Sequence, residues 1–153
     1  MAKFTVGIDT IATPEQVRDA LTDFTDRRTE IWPGLSKKRY EVYEVGETTA
    51  VIREGNDKPS VWARERYDWS KPGVVRWEVL ESNFCIPGSY VQCTFAPGTD
   101  GGSHVEVEWN RKGSNFGGHL MVAMMKVMGP RIIRGYIRKV LDGYSADATA
   151  QAA

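Results

Sequence analysis

The feature that most constrains the fold is a change in hydrophobic period near residue 117. Between residues 37 and 111, apolar and polar residues alternate in short runs separated by turn sequences, as in the strands of a sheet. After Gly117-Gly118 the apolar residues recur every three or four positions, which predicts helix over 117–144. A chain that places one long amphipathic helix after a series of hairpins has to bury the helix stripe on one face of the sheet.

Hairpins join the predicted strands, so the sheet is expected to be antiparallel. An alternating segment at Lys3–Ile11 adds a strand at the start of the chain. The other predicted strands are Lys37–Val45, Thr49–Gly55, Val61–Ser70, Val74–Ser82, Tyr90–Ala96 and Ser103–Arg111. About seven strands are too many to stay flat, and we expect the sheet to curve.

Two short helices are expected after the first strand. The sequence Thr13-Pro14-Glu15-Gln16 has the residues of a capping box, with Pro at the first helical position. Apolar residues then follow at helical spacing to Phe24, the pattern weakens, and Trp32-Pro33-Gly34 ends it.

The last helix is predicted to turn one apolar stripe toward the sheet. In its first half the stripe consists of Leu120, Met121, Met124, Met125 and Met128. Pro130 either kinks one helix or separates two. The small residues that follow predict a frayed tail over 146–153, which leaves a single domain over 1–145.

Composition excludes several classes of function. The 153 residues carry 20 basic and 20 acidic side chains, and this zero net charge argues against a dedicated nucleic-acid binder. Cys85 and Cys93 form no disulfide framework, Met1–Gly7 lacks the apolar core of a secretory signal, and Leu120–Met125 is too short to span a membrane. We therefore expect a cytoplasmic protein without integral membrane contact. The last helix is locally basic, and its cations are expected on a solvated outer face, with an anionic membrane or acidic partner as the alternative.

Several segments of the chain match patterns of one known family. They are Ala12–Val17, Leu21–Asp23, Trp32-Pro33, Trp62–Trp69, Gly88–Tyr90, Gly101–Val105 and the final helix. Together they resemble the SRPBCC or START-like superfamily, also described as polyketide cyclase/dehydratase-like. The resemblance implies the helix-grip fold, an α+β architecture in which a curved antiparallel sheet wraps around a long C-terminal helix. It also implies a deep apolar cavity under that helix. The superfamily includes lipid and sterol carriers, aromatase/cyclases and co-chaperones.

Aromatic and thioether side chains are expected to line this cavity, because alternation and helical spacing turn many of them inward. The candidate ligand-binding residues are Trp32, Trp62, Trp69, Trp77, Val91, Cys93, Phe95, Val107, Trp109, Met121, Met124 and Met128. The alternative is that these residues simply pack as core.

The strand at Val61–Ser70 carries the candidate catalytic residues, and its register decides which of them face the cavity. A three-residue loop at Lys71–Gly73 turns Glu65 and Tyr67 inward, whereas a two-residue loop or a bulge turns Arg64 and Arg66 inward. A buried Glu65 would have a raised pKa suited to acid–base chemistry, and an inward Arg66 would stabilise an enolate. The alternative is a solvated ladder of charged pairs.

No metal site and no cofactor are expected, because the histidines, His104 and His119, are not clustered with other potential ligands. The sequence therefore favours a protein that binds a small hydrophobic molecule, similar to a lipid, a polyketide or an aromatic compound, as a carrier or sensor. A polyketide cyclase/dehydratase-like enzyme and a protein-interaction module are the alternatives. The identity of any protein partner is not predicted.

Overall fold

The computed structural model describes residues 2–153 and contains a seven-stranded sheet, two short helices and one long helix. In chain order the elements are β1 (Ala2–Thr10), α1 (Pro14–Thr22), α2 (Arg28–Ile31), β2 (Glu41–Val45), β3 (Thr49–Asn56), β4 (Val61–Asp68), β5 (Val74–Ser82), β6 (Tyr90–Pro97), β7 (Ser103–Arg111) and α3 (Phe116–Ala152). A short 3-10 turn at Thr99–Gly101 joins β6 to β7. The predicted α+β helix-grip architecture is confirmed.

All neighbouring strands are antiparallel, in the order β1-β7-β6-β5-β4-β3-β2. Strands β2 to β7 follow one another as in the chain, and β1 joins the sheet beside β7. The sheet is curved and open, with β1 and β2 at its edges. Helix α3 packs against β1 and α1, so the core lies between the sheet and the helices.

The register of β4 follows the prediction for a three-residue loop. Tyr67 lies opposite Trp77 and Glu65 opposite Val79, which places both on the inner face. A bulge between Arg64 and Glu65 shifts the pairing only toward the start of the strand. Arg66 therefore lies on the outer face opposite Glu78, where it is exposed, and the alternative that turned it inward is wrong.

The start of α1 has the predicted capping box. The Thr13 hydroxyl accepts a hydrogen bond from the Gln16 backbone N–H at 3.2 Å, and Gln16 Oε1 accepts one from the Thr13 N–H at 3.0 Å. The Trp32 indole N–H donates to the Ala20 carbonyl at 3.0 Å, which fixes the segment after α2 against α1. These contacts hold α1 and the segment after α2 together, and α1 lies against β5, β6 and α3.

Helix α3 is one continuous helix, and Pro130 lies inside it without dividing it. The helix continues to Ala152, although the sequence predicts a frayed tail over 146–153. The difference has a physical reason, because four alanines between 146 and 152 favour helix strongly and Ser145 is still buried against the core.

The predicted inner stripe of α3 has the wrong phase in its first half. Met124 and Met128 are exposed, whereas Val122 and Gly129 are buried and Met125 packs against the core. The segment 120–128 is apolar nearly all round, so periodicity does not select a face. Gly129 identifies the face that packs on the sheet, because it lies so close to β1 that a Cβ atom there would be 2.8 Å from the Phe4 Cζ atom.

Candidate ligand-binding site

A cavity of about 350 Å³ lies between the inner face of the sheet and α3. Its volume falls within the range of about 300–1,000 Å³ that is common for small-molecule sites. The apolar lining residues are Leu21, Trp32, Leu35, Trp77, Val91, Val107, Trp109, Met125, Ile133, Tyr136 and Ile137. The hollow predicted between sheet and helix is therefore present.

Two of the cavity walls are aromatic rings held in fixed positions. Trp77 stacks on Tyr67 with a centroid distance of 5.2 Å and an interplanar angle of 10°. Trp109 stacks on Phe4 at 5.2 Å and 18°. Stacking on a neighbouring ring restricts the movement of each tryptophan, and flat aromatic side chains in a cavity lining favour a flat ligand.

One end of the cavity is polar and contains a buried triad of Arg28, Glu54 and Tyr67. Arg28 Nε donates to Glu54 Oε2 at 2.8 Å, and Arg28 Nη2 donates to the Tyr67 hydroxyl at 2.9 Å. The Tyr67 hydroxyl donates to Glu54 Oε1 at 2.6 Å. Each member thus bonds both others, as buried charges require.

The triad fixes the protonation states of its members. Burial alone raises the pKa of Glu54, but the ion pair and hydrogen bond with Arg28 outweigh it and leave this pKa below its usual value. Burial and the Glu54 charge raise the pKa of Tyr67 well above its usual value. Glu54 is therefore a carboxylate and Tyr67 a neutral phenol at physiological pH.

A second buried ion pair, between Arg111 and Glu65, lies beside the cavity. Arg111 Nη2 donates to Glu65 Oε1 at 2.7 Å. Burial raises the pKa of Glu65, and the Arg111 charge opposes that shift. Arg111 itself lines the cavity, whereas Glu65 is not among the lining residues.

The two arginines differ in how many of their donors are used. Arg28 also donates through Nη1 to the carbonyls of Leu21 at 3.1 Å and Asp23 at 3.2 Å, so each of its nitrogens is engaged. Arg111 makes one side-chain hydrogen bond to an oxygen among the described residues, that to Glu65; the Cys85 thiol lies beside its guanidinium, and its buried Nε has no partner. Since a guanidinium carries five N–H groups, Arg111 is the cavity cation with unused donor capacity.

The structure brings some of the candidate residues together and separates others. The cavity is lined by Trp32, Tyr67, Trp77, Val91, Val107 and Trp109. The candidates outside the lining are Trp62, Trp69, Cys93, Phe95, Met121, Met124, Met128, Glu65 and Arg66. Cys93 and Phe95 are buried core, Trp69 packs on Phe24, and Met124 and Arg66 face outward.

Sequence reasoning did not single out Arg28, Glu54 or Arg111. The inward position of Arg111 could have been predicted, since residues 107, 109 and 111 of β7 point to the same face and Val107 and Trp109 were expected to line the cavity. Glu54 likewise continues the parity of Ala50 and Ile52 on β3. Arg28 lies in a segment without periodicity, and nothing local indicates that it is buried.

Among residues 2–153, no cluster of three or more His, Cys, Asp or Glu side chains is arranged to hold a metal ion. Within the same residues, every helix is too short or too polar to cross a lipid bilayer.

A curved antiparallel sheet gripping one long helix over an apolar cavity defines the START-like, helix-grip class of proteins. Residues 1–148 match the family model described as polyketide cyclase/dehydrase and lipid transport. The chain belongs to that family. A comparison with curated proteins finds no match.

Solved structures with the same fold include proteins that are described as having different functions. A START superfamily protein from Mycobacterium smegmatis is 9% identical with a TM-score of 0.75, and the match covers 97% of this chain and 99% of that one. The ZhuI aromatase/cyclase from Streptomyces sp. R1128 is 16% identical with a TM-score of 0.66, covering 93% and 92%. A STAR-related lipid transfer protein from Xanthomonas axonopodis is 20% identical with a TM-score of 0.67, covering 91% and 85%.

Proposed function

We propose that this protein binds a small, flat, largely apolar molecule that carries a hydrogen-bond acceptor, and acts as a carrier or sensor in the cytoplasm. The observation that carries the proposal is the cavity of about 350 Å³, with aromatic walls and one arginine whose donors are mostly unused. The family description, which includes lipid transport, and the aromatase/cyclase and lipid-transfer neighbours support a hydrophobic ligand.

The size and shape of the cavity favour a compact molecule. Its volume is near the lower end of the range of about 300–1,000 Å³ for small-molecule sites, so a fused-ring compound fits better than a long-chain lipid. The stacked walls formed by Trp77 and Trp109 favour the face of an aromatic ring.

The polar end of the cavity determines how such a molecule is oriented. The Arg28–Glu54–Tyr67 triad satisfies its own hydrogen bonds, so a ligand gains little there. Arg111 can donate to a carbonyl or carboxylate oxygen without giving up Glu65. The ligand therefore places its acceptor toward Arg111 and its ring between the tryptophans.

Binding is proposed ahead of catalysis because the proton-transfer groups are already engaged. Tyr67 and Glu54 line the cavity but are bonded to each other, and the phenol has a raised pKa. Glu65, the candidate acid–base residue, pairs with Arg111 and is not a lining residue. A cyclase reaction would require one of these groups to exchange a proton with the substrate.

The first experiment is native mass spectrometry of the purified protein, followed by calorimetric titration with two matched probes. These are 2-naphthoate, which has an acceptor on a flat ring system, and 2-methylnaphthalene, which lacks the acceptor. A charge-assisted hydrogen bond is worth about 1.5–3 kcal/mol, so we expect naphthoate to bind about tenfold more tightly or better. Equal affinities would contradict the role of Arg111.

A matched pair of helix variants tests the cavity itself. Ile133 lines the cavity, whereas the neighbouring Ile132, about 100° further round α3, is half exposed and is not a lining residue. Ile133→Trp should fill the space and abolish naphthoate binding, and Ile132→Trp should leave binding unchanged. Thermal unfolding of both variants shows whether they fold, and equal naphthoate affinity in the two folded variants would refute the proposed site.

A further inference from the structure

The side of α3 that faces away from the cavity carries an uncovered apolar stripe. Phe116, Leu120, Met124 and Val127 are 86%, 63%, 54% and 82% exposed. Their spacing of four, four and three residues places them on one face of the helix. Large apolar side chains scattered singly on a surface are ordinary, but a contiguous row of them marks an interaction surface.

The same stripe continues as a row of arginines. Arg131, Arg134 and Arg138 follow Val127 at spacings of four, three and four, and all are exposed. We call these seven residues, from Phe116 to Arg138, the α3 outer face. Lys126 and Lys139 flank it, and no Asp or Glu occurs between residues 116 and 141.

No carboxylate forms an ion pair with the arginines of this face among the described residues. Asp142 accepts hydrogen bonds from the Thr10 hydroxyl at 2.6 Å and the Ile11 N–H at 3.1 Å, and Asp9 pairs with His104.

The arginines are also held in place at the sheet edge. Arg134 Nε donates to the Gly7 carbonyl at 3.2 Å, and Arg138 Nε donates to the Asp9 carbonyl at 3.0 Å. These bonds engage one nitrogen of each guanidinium, which keeps its positive charge beside edge strand β1. The face thus combines an apolar half with a fixed cationic half.

We propose that the α3 outer face docks on the surface of an anionic lipid bilayer. A helix lying in the interface buries apolar side chains at the headgroup boundary, and its cations pair with lipid phosphates. The stripe runs for about 33 Å along the helix, long enough for several lipid contacts. A second copy of this face offers no carboxylate to the arginines, so charge complementarity favours anionic lipid over self-pairing.

The test is flotation of the full chain with vesicles of two compositions. One is pure phosphatidylcholine, and the other is an equimolar mixture of phosphatidylcholine and phosphatidylglycerol. We expect binding to the mixed vesicles, much weaker binding to the neutral ones, and loss of binding at high salt. Equal binding to both compositions, or no binding to the mixed vesicles, would overturn the proposal.

Matched variants locate the contact. Arg131→Gln combined with Lys139→Gln should lower the partition coefficient about 25-fold, since each cation near an anionic surface contributes about a fivefold effect. The same two changes at Lys37 and Lys71, exposed elsewhere, should have a much smaller effect.

Val127→Asp should also abolish vesicle binding, whereas Val45→Asp, at the exposed edge strand β2, should not. Sedimentation equilibrium tests the alternative that a second copy of the chain covers this face. A dimer that is dissociated by Val127→Asp but not by Val45→Asp would assign the α3 outer face to a second copy of the chain and would refute membrane docking.

Discussion

Replacing Tyr67 with phenylalanine removes a single oxygen from the centre of the buried triad. That oxygen donates to Glu54 at 2.6 Å and accepts from Arg28 at 2.9 Å. A hydrogen bond to a charged group contributes about 1.5–3 kcal/mol, but Arg28 and Glu54 keep their direct ion pair and neither is left without a partner. We therefore expect the free energy of unfolding to fall by about 2 kcal/mol, less than the simple sum of two bonds.

Urea unfolding followed by tryptophan fluorescence measures this change. The midpoint should fall while the slope with denaturant stays the same, because the variant buries the same surface. For a chain of this length the melting temperature should fall by about 4–8 °C. The matched control is Tyr90→Phe, since the Tyr90 hydroxyl also donates to a carboxylate, that of Glu108, but on the half-exposed outer face of the sheet.

The control variant should lose less than about 0.5 kcal/mol, as is usual for surface substitutions and exposed polar pairs. Equal losses in the two variants would refute the argument that burial makes the triad important. A changed denaturant slope in Tyr67→Phe would show that the variant alters the folded or unfolded state more widely, and would also contradict the reasoning.

Further predictions concern pH and the helix glycines. The pKa of Glu54 is lower in the folded state, so its stabilising contribution is present above the unfolded-state pKa and is lost as pH falls through the folded-state pKa. Glu54→Gln should therefore give a flatter dependence of unfolding free energy on pH below about 5, measured by urea titrations, and an unchanged slope would contradict the assignment. In α3, Gly135→Ala should raise stability by up to about 1 kcal/mol, because a Cβ there meets nothing within 4 Å. Gly129→Ala should instead lower stability by about 1 kcal/mol, since its Cβ would lie 2.8 Å from the Phe4 ring, and a gain in both variants by thermal unfolding would be inconsistent with this packing.

The sheet could be predicted from sequence because alternation and turn length reinforce each other. On β4, the loop at Lys71–Gly73 and the complementary pairs Arg66–Glu78 and Asp68–Arg76 lead to one register, which the structure has. Paired residues on neighbouring strands point to the same face of the sheet, so the inner residues of one strand determine those of the next. The inner positions of Tyr67 and Trp77 therefore follow from local evidence.

The phase of α3 could not be chosen in the same way, although a consistent answer was present in the sequence. Between residues 120 and 128 the helix is apolar on most of its circumference, and several stripes fit equally well. Extending the later stripe backward from Ile137 and Ile133 leads through Gly129 to Met125 and Val122, which is the face that packs. The ambiguity arose because two surfaces of α3 are apolar, one for the core and one for the α3 outer face.

Arg28 shows why the polar end of the cavity could not be predicted from local sequence patterns. Its guanidinium is satisfied by two carbonyls from the end of α1, a carboxylate from β3 and a phenol from β4. These partners are separated from it by up to 39 residues in sequence, so no spacing rule connects them. Burial of such a charge becomes favourable only when the folded sheet supplies all its partners together. For this reason the apolar walls of the site can be inferred strand by strand, whereas its polar end follows only from the three-dimensional structure.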